Sequence, residues 1–330
     1  MLSMGDLSLS SMLLLAGALW LALAIDHWLG EPSARWHPVV WMGQYLGWVG
    51  AFIAPQRTQP GAADYKRFVL GALGWIAGAA LVLIATVLLQ QGAWQLPAWL
   101  GWVLLGLLLK PLLAWRMLRG EVLAVEAALA ESLPAGRARL AWLVSRDVQA
   151  LSAEEVRESA IESLAENLND SVVAPIFWFM LLGLPGAALY RFANTADAMW
   201  GYRGVYQGRD WSWTGKWAAR ADDVLSWLPA RLTALLLALV KGGLSLRAVR
   251  REAGRTPSPN SGWPMAAMAL ALGVSLHKPG VYVLHSQGRA PLAGDTLQSA
   301  ALGSKVVLAL AILATVAMVF IVFVGGGMRS

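Results

Sequence analysis

The stretch FVLGALGWIAGAALVLIATVLL, residues 68–89, runs for 22 uncharged residues directly after Lys66 and Arg67. A helix of that length crosses the roughly 30 Å of a bilayer's hydrocarbon layer. Working outward, Val306–Val324 is a second uncharged run, bounded by Lys305 and the glycines at 325–327. Leu9–Ile25 ends at Asp26 and lacks the basic start and small-residue cleavage site of a signal peptide, so it reads as a retained span. Pro97–Leu118 is a further span, with Lys110 and Arg116 near its end, where long side chains snorkel to the interface. Composition agrees: 57% of residues are hydrophobic and 14% charged, against about 25% charged in soluble domains. Eighteen tryptophans, among them Trp94, Trp99 and Trp102 between adjoining spans, suit interfacial belts. The expected fold is all-α: a polytopic membrane protein forming one embedded domain over 1–330, with four spanning helices at 9–25, 68–89, 97–118 and 306–324.

Basic residues set the orientation. The link Gln90–Leu96 carries no charge and reads as external, whereas the flanking loops hold Arg35, Arg57, Lys66 and Arg67 on one side and Arg116, Arg119, Arg137, Arg139, Arg146 and Arg157 on the other. Segment 241–305 has eight Lys or Arg against two acids and also belongs inside. The apolar segments 170–190 and 224–240 enclose a basic loop containing Arg191, Arg203, Arg209, Lys216 and Arg220. Two full crossings would put that loop outside, so both segments are expected to be broken or re-entrant. Pro175, Pro185, Pro229 and Arg231 fit that reading, because irregular backbone and charge at membrane depth line protein cavities. The polar segments 145–170, 191–223 and 241–305 then share the cytoplasmic face, and the C-terminus lies outside.

Several classes drop out. With no cysteine there is no disulfide, thiolate metal site or cysteine nucleophile. The four histidines show no metal spacing, and there is no Walker loop, dinucleotide fingerprint or nucleophile elbow. The net charge of +6 comes without a basic-aromatic motif; anionic lipid and phosphorylated substrates account for it better than nucleic acid.

What remains is a set of polar motifs. In ESLAENLNDSVVAP, residues 162–175, Glu162, Glu166 and Asp170 fall at i, i+4, i+8 on one helix face. Three stacked acids repel one another unless a cation or the polar end of a substrate sits against them. Asn167-x-x-Asp170 and Asn194-x-x-Asp197 share one spacing on either side of an apolar segment. Ser152-Ala-Glu-Glu155 is a capping box, so a helix is expected from Ala153 through Asn169, with Arg157 pairing Glu154 or Glu158. Arg220, Asp222 and Asp223 precede an apolar stretch, either as a charged helix start or as a phosphate and metal group. Ser258 and Asn260 lie in a Pro-rich turn before a helix start, which serves as a connection or as an anion site.

Seven motifs in order resemble one family: DHWLGEP (26–32), HPVVWMGQ (37–44), SRD (145–147), ESLAENLNDSVVAP, NTADAMWGYR (194–203), ARADDVLSWLPARL (219–232) and PSPNSGWPMAAMA (257–269). The chain is similar over about 20–300 to the adenosylcobinamide-phosphate synthases, often called CobD or CbiB. Glu31 and Ser171 stand where that family commonly has Asp and Gly. The resemblance implies an ATP-consuming amide ligation between a propionate of adenosylcobyric acid and aminopropanol phosphate, or an aminoethanol variant, in the cytoplasmic (inner) membrane. Residue chemistry then suggests roles. Glu162 serves as base with Asp222 and Asp223 as further catalytic acids, and Glu166, Asp170 and Asp197 hold Mg²⁺. Arg146, Asn194, Arg203, Arg220, Ser258 and Asn260 bind substrate or phosphate. Partners would be the corrinoid, the amine phosphate, lipid, and either a second copy or other enzymes of the pathway. A prenyl transferase using a Mg²⁺-diphosphate and a non-catalytic membrane sensor are the rival classes; the large polar 241–305 segment and the complete acid set speak against them.

Overall fold

The computed structural model describes residues 9–327; the C-terminal end, expected outside the cell, lies beyond them. In chain order the helices begin with α1 (Leu9–Trp28), α2 (Pro38–Ile53), α3 (Tyr65–Gln95), α4 (Ala98–Leu109), α5 (Trp115–Glu131), α6 (Leu133–Leu140) and α7 (Ala153–Leu168). After a π-helical turn at Asn169–Val173 follow α8 (Ala174–Leu182), α9 (Leu184–Trp200), α10 (Lys216–Leu225) and α11 (Trp227–Lys241). The last are α12 (Leu246–Ala253), α13 (Gly262–Leu272) and α14 (Ala293–Gly327). Two small antiparallel hairpins qualify the all-α expectation: β1 (Val205–Tyr206) with β2 (Arg209–Asp210), and β3 (Leu276–Lys278) with β4 (Tyr282–Leu284).

By length and hydropathy, α3, the stretch Ala98–Glu131 and Ala293–Phe320 are able to cross a membrane. The helices α10 and α11, bent by 45° at their junction, make a fourth crossing if they act as one. Of the four expected spans, three fall on helices of this kind, and α1 contributes a shorter apolar helix over Leu14–Trp28 among the residues searched. The broken segments are present. Residues 170–190 are interrupted by the π turn and then by Gly183, whose φ of +70° and position against the Gln90 side chain exclude a Cβ. Gln90, buried in α3, accepts the Leu184 N–H at 2.7 Å and so satisfies the start of α9 from within an apolar helix.

Contacts divide the chain into two compact units. One comprises Met1–Leu113, Ala174–Leu225 and Ala314–Ser330; the other comprises Ala114–Val173 and Ser226–Leu313. In the first, α1 packs on α4, and α9 packs on α2, α3, α8 and α10 around Phe179, Tyr190, Phe192 and Trp200. Gly50 is required on α2, because a Cβ there would stand 2.8 Å from Trp211 and 2.9 Å from Trp200.

The expected span 97–118 breaks inside this unit: α4 stops at Leu109 and Lys110–Leu112 form a single 3-10 turn. Lys110 does not snorkel. It is 3% exposed, with Nζ 3.1 Å from Asp26, 2.8 Å from Glu31 and 3.3 Å from the Leu113 carbonyl. Glu31 in turn meets His37 Nε2 at 3.1 Å, while His37 Nδ1 accepts the Val39 N–H and caps α2. Burial raises the Glu31 pKa, but His37 and Lys110 outweigh it and hold the carboxyl below its ordinary value. Neutralisation inside the fold is cheaper here than stretching to the interface, since two acids already sit at the end of α4.

In the second unit α7 packs on α5, α6 and α13, and α11 packs on α13. The capping box forms as expected, with Ser152 and Glu155 satisfying each other's backbone N–H groups. Arg157 makes its hydrogen bonds to Glu126 of α5, at 2.8–3.1 Å, rather than to Glu154 or Glu158 of its own helix. A bidentate partner across a helix pair fits the guanidinium fork better than a single carboxylate one turn away.

Removing the cation shared by Asp26 and Glu31 should be costly. Lys110→Ala should destabilise the protein by about 3–5 kcal/mol, and Lys110→Met combined with Asp26→Asn and Glu31→Gln should regain most of it. Thermal unfolding in detergent micelles reads both; a Lys110→Ala protein that melts with wild type would rule out the shared ion pair.

Candidate functional site

Helix α7 presents alternate turns of the same face, Glu158, Glu162 and Glu166, at four-residue spacing. The segment after α6 runs alongside it, held where the Leu143 carbonyl accepts Ser163 Oγ at 3.5 Å and the Leu151 carbonyl accepts Arg137 Nε at 2.7 Å. The hairpin β3–β4 closes the space from another direction. Between the three lies a polar cavity of about 180 Å³ lined by Leu143, Val144, Ser145 and Arg146, by Ser159, Glu162, Ser163, Glu166 and Asn167, and by Lys278 and Tyr282.

Charge in this cavity is balanced and incompletely bonded. Arg146 Nη2 donates to Ser159 Oγ and lies 3.5 Å from Glu162 Oε2. Arg146 Nε and Nη1 and Glu162 Oε1 are buried without a hydrogen-bond partner among the described residues. Buried polar atoms left that way cost free energy unless a ligand or water completes them. Burial pushes the Glu162 pKa above the ordinary carboxylate range, and Arg146, Tyr282, Lys278 and His277 only partly offset it. Burial and the neighbouring Glu162 likewise raise the Tyr282 phenol, which stays protonated as a donor. Glu158 is raised by burial too, against the opposing pull of His277. The cavity therefore offers cations and hydroxyls to an anion and carboxylates to an ammonium.

The structure gathers Arg146, Glu162 and Glu166, which the sequence reading placed in separate roles. Asp170 does not line the cavity. The π turn that begins at Asn169 takes it off the face of its i−4 and i−8 acids, and its carboxylate accepts the Asn169 amide at 2.7 Å. Asn169 in turn accepts from Thr233 at 3.0 Å, so this turn is tied into the unit. Ser258 and Asn260 do not form an open anion site. Ser258 Oγ accepts the N–H groups of Asn260 and Ser261, and buried Asn260 accepts Arg231 Nη1 at 3.1 Å, so these polar groups are committed to the turn.

The other expected residues belong to the first unit. Asn194 accepts Arg191 on its own helix at 3.3 Å. Asp197 lies in the last turn of α9, its carboxylate so close over Gly201 that a Cβ there would stand 2.0 Å from it. Arg203 is near enough to Asp223 for their charges to interact, and Arg220 is exposed on α10 beside Asp222. Among the described residues no three His, Asp or Glu side chains gather as a metal cage. Mg²⁺ needs only one or two carboxylates when substrate phosphates supply the rest, and Glu166, one of the expected metal ligands, lines this cavity.

Lys278 and Tyr282 were not anticipated. Their signal is LHKPGVYVL, residues 276–284, where Pro-Gly divides two alternating runs and marks a hairpin. The hairpin register pairs Lys278 with Tyr282 directly.

Fold and site together describe a helical protein with membrane-grade helices and an open polar cavity built for a small charged ligand. The chain matches the model of the CobD/Cbib protein family over residues 19–323 and belongs to that family. It is 43% identical to the probable cobalamin biosynthesis protein CobD of Methanothermobacter thermautotrophicus, covering 81% of this chain and 85% of that one. It is 41% identical to the probable CobD of Thermococcus kodakarensis (79% and 82% covered) and 42% to CobD of Chromobacterium violaceum (78% and 79%). The family assignment carries a role in cobalamin biosynthesis. No solved structure matches the chain.

The raised Glu162 pKa has a measurable sign. Its contribution to stability is fully present below the pKa of an unfolded glutamate, about 4.3, and is lost as pH rises through the folded value. Glu162→Gln stays neutral throughout, so its melting temperature relative to wild type should be higher near pH 8 than near pH 4. A difference that does not grow across that range would contradict a buried carboxylate at 162.

Proposed function

We propose that this protein is an amide-forming ligase of cobalamin biosynthesis that joins an aminoalkyl phosphate, aminopropanol phosphate or its aminoethanol variant, to a propionate carboxylate of adenosylcobyric acid with hydrolysis of ATP. The observation that carries this reading is the α7 cavity. Arg146 and Lys278, several hydroxyls, and the carboxylates of Glu162 and Glu166 line one volume, which suits a molecule with a phosphate and an amine. The seven ordered motifs and the family assignment support the same reaction.

A carboxylate is a poor electrophile, so ATP first phosphorylates the propionate oxygen, leaving ADP and an acyl phosphate. The amine must lose a proton before it attacks, and Glu162, with a proton affinity raised by burial, accepts it. Attack on the acyl carbon forms the C–N bond, and inorganic phosphate leaves with the electron pair of the broken C–O bond. Arg146 and Lys278 orient the amine phosphate, and Tyr282, protonated, donates to it. Mg²⁺, held by Glu166 with phosphate oxygens, would offset phosphoryl charge. Asn194, Arg203 and Arg220 keep the phosphate-binding role that residue chemistry suggests for them, Asp222 and Asp223 that of further catalytic acids, and Asp197 that of a metal ligand, a role in which it needs its charge as well as its shape. The enzyme works in the cytoplasmic membrane with its site facing the cytoplasm, a placement that the distribution of its basic loops supports.

Purified protein supplied with cobyric acid, Mg-ATP and aminopropanol phosphate should form the amide. Arg146→Ala should raise KM for the amine phosphate by roughly 10- to 150-fold, the weight of one charge-assisted contact, and leave KM for the corrinoid near wild type. Glu162→Gln should lower kcat by about 10²–10⁴-fold. Equal effects of Arg146→Ala on both substrates would remove the cavity from the reaction.

A further inference from the structure

The cavity draws its cations from two places with different support. Arg146 is fixed by Ser159 and Glu162 of α7. Lys278 sits at the tip of the β3–β4 hairpin, one residue before the Pro279-Gly280 turn, where Gly280 takes a φ of +72°. The far end of that hairpin has its own anchors: the His285 N–H donates to Glu252 at 2.8 Å, and the His285 ring meets the Val274 carbonyl at 3.1 Å. The tip is held by His277. Its ring Nδ1 makes a short contact with Glu158, its backbone N–H donates to the same Glu158 oxygen at 3.2 Å, and its Nε2 lies 3.4 Å from Glu155. Glu158 is one helical turn before Glu162, so the clasp and the cavity share one stripe of α7. Burying the Glu158 carboxylate, 5% exposed, is costly, and its contacts with the ring and backbone of His277 offset that cost.

We propose that His277 is a positioning residue: clasped by Glu158 and Glu155, it sets Lys278 and Tyr282 over the cavity and so determines how tightly the cavity holds a phosphorylated ligand. It does not touch the ligand itself. The inference rests on reading the cavity as a phosphate site, and its test needs no amide formation. Binding of inorganic phosphate to the purified full chain in detergent, followed by ³¹P NMR, should weaken about tenfold in His277→Ala, the loss of one charge-assisted contact at Lys278. In a Lys278→Ala, Tyr282→Phe double background, which removes both groups that His277 sets in place, the same substitution should add nothing. His277→Asn places an amide nitrogen near the Nδ1 position and should rescue binding, whereas His277→Gln, which reaches toward Glu155, should not. Losses that add in the two backgrounds, or phosphate binding indifferent to His277, would overturn the proposal. Wild-type phosphate binding with the predicted His277 pattern but without amide product would leave the proposal standing and count against the ligase reading alone.

Discussion

A helix buried at ten of its 16 positions has no room for unmatched carboxylates, and α7 carries five glutamates. That demand for counter-charge organises the second unit. Glu155 closes the capping box and faces His277; Glu158 takes the ring and backbone of His277; Glu162 takes Arg146. Even the basic residue on α7 is spent outward, with Arg157 gripping buried Glu126 of α5, which also accepts Thr296 at 2.9 Å. The ion pairs draw β3, the segment holding Arg146, and α5 onto the helix, so electrostatic matching and tertiary packing are one process here. Beside α7, Arg146 Nε and Nη1 and Glu162 Oε1 are left buried without a hydrogen-bond partner among the described residues, next to the cavity they line. Buried polar atoms left so are a natural place for a ligand to complete.

The same constraint shapes the chemistry. A carboxylate in water is too acidic to take a proton from an ammonium with much efficiency; burial corrects this by disfavouring the ion. Arg146 moderates the correction, keeping the group ionisable while leaving other guanidinium nitrogens for a phosphate. The hydroxyls of Ser145, Ser159, Ser163 and Tyr282 add donors without adding charge, which keeps the cavity's overall balance available to a ligand bearing both signs.

How much of this was visible in the chain depends on whether the signal is local. The capping box at Ser152 is local, and α7 starts where it says. The uncharged run at 68–89 is local, and α3 contains it. Breaks at 170–190 and 224–240 were legible from prolines and parity; in the first, the π turn runs up to Pro175 at the start of α8, and Gly183 stands just before Pro185 at the start of α9. Lys110 was misread because its partners, Asp26 and Glu31, lie some eighty residues away, and a lysine near a helix end looks the same whether it reaches water or an acid. Asp170 was misread because the i, i+4, i+8 argument presumes an unbroken α-helix. Arg146, Glu162 and Glu166 stand out in the chain as polar residues, but their common cavity depends on the packing of an irregular segment and a hairpin against α7, which no spacing rule encodes.

The buried triad of Asp26, Glu31 and Lys110 also bears on how the chain reaches its membrane. Helix α1 is made first and ends in an acid; α4 emerges later and ends in the lysine that neutralises it. Until the two meet, each end carries a charge that lipid disfavours. The described part of α1 is apolar but short, and α4 is the helix it packs against. The ion pair that removes both charges forms only when α1 and α4 lie together, so one lysine ties the first described helix to a partner some eighty residues further along the chain.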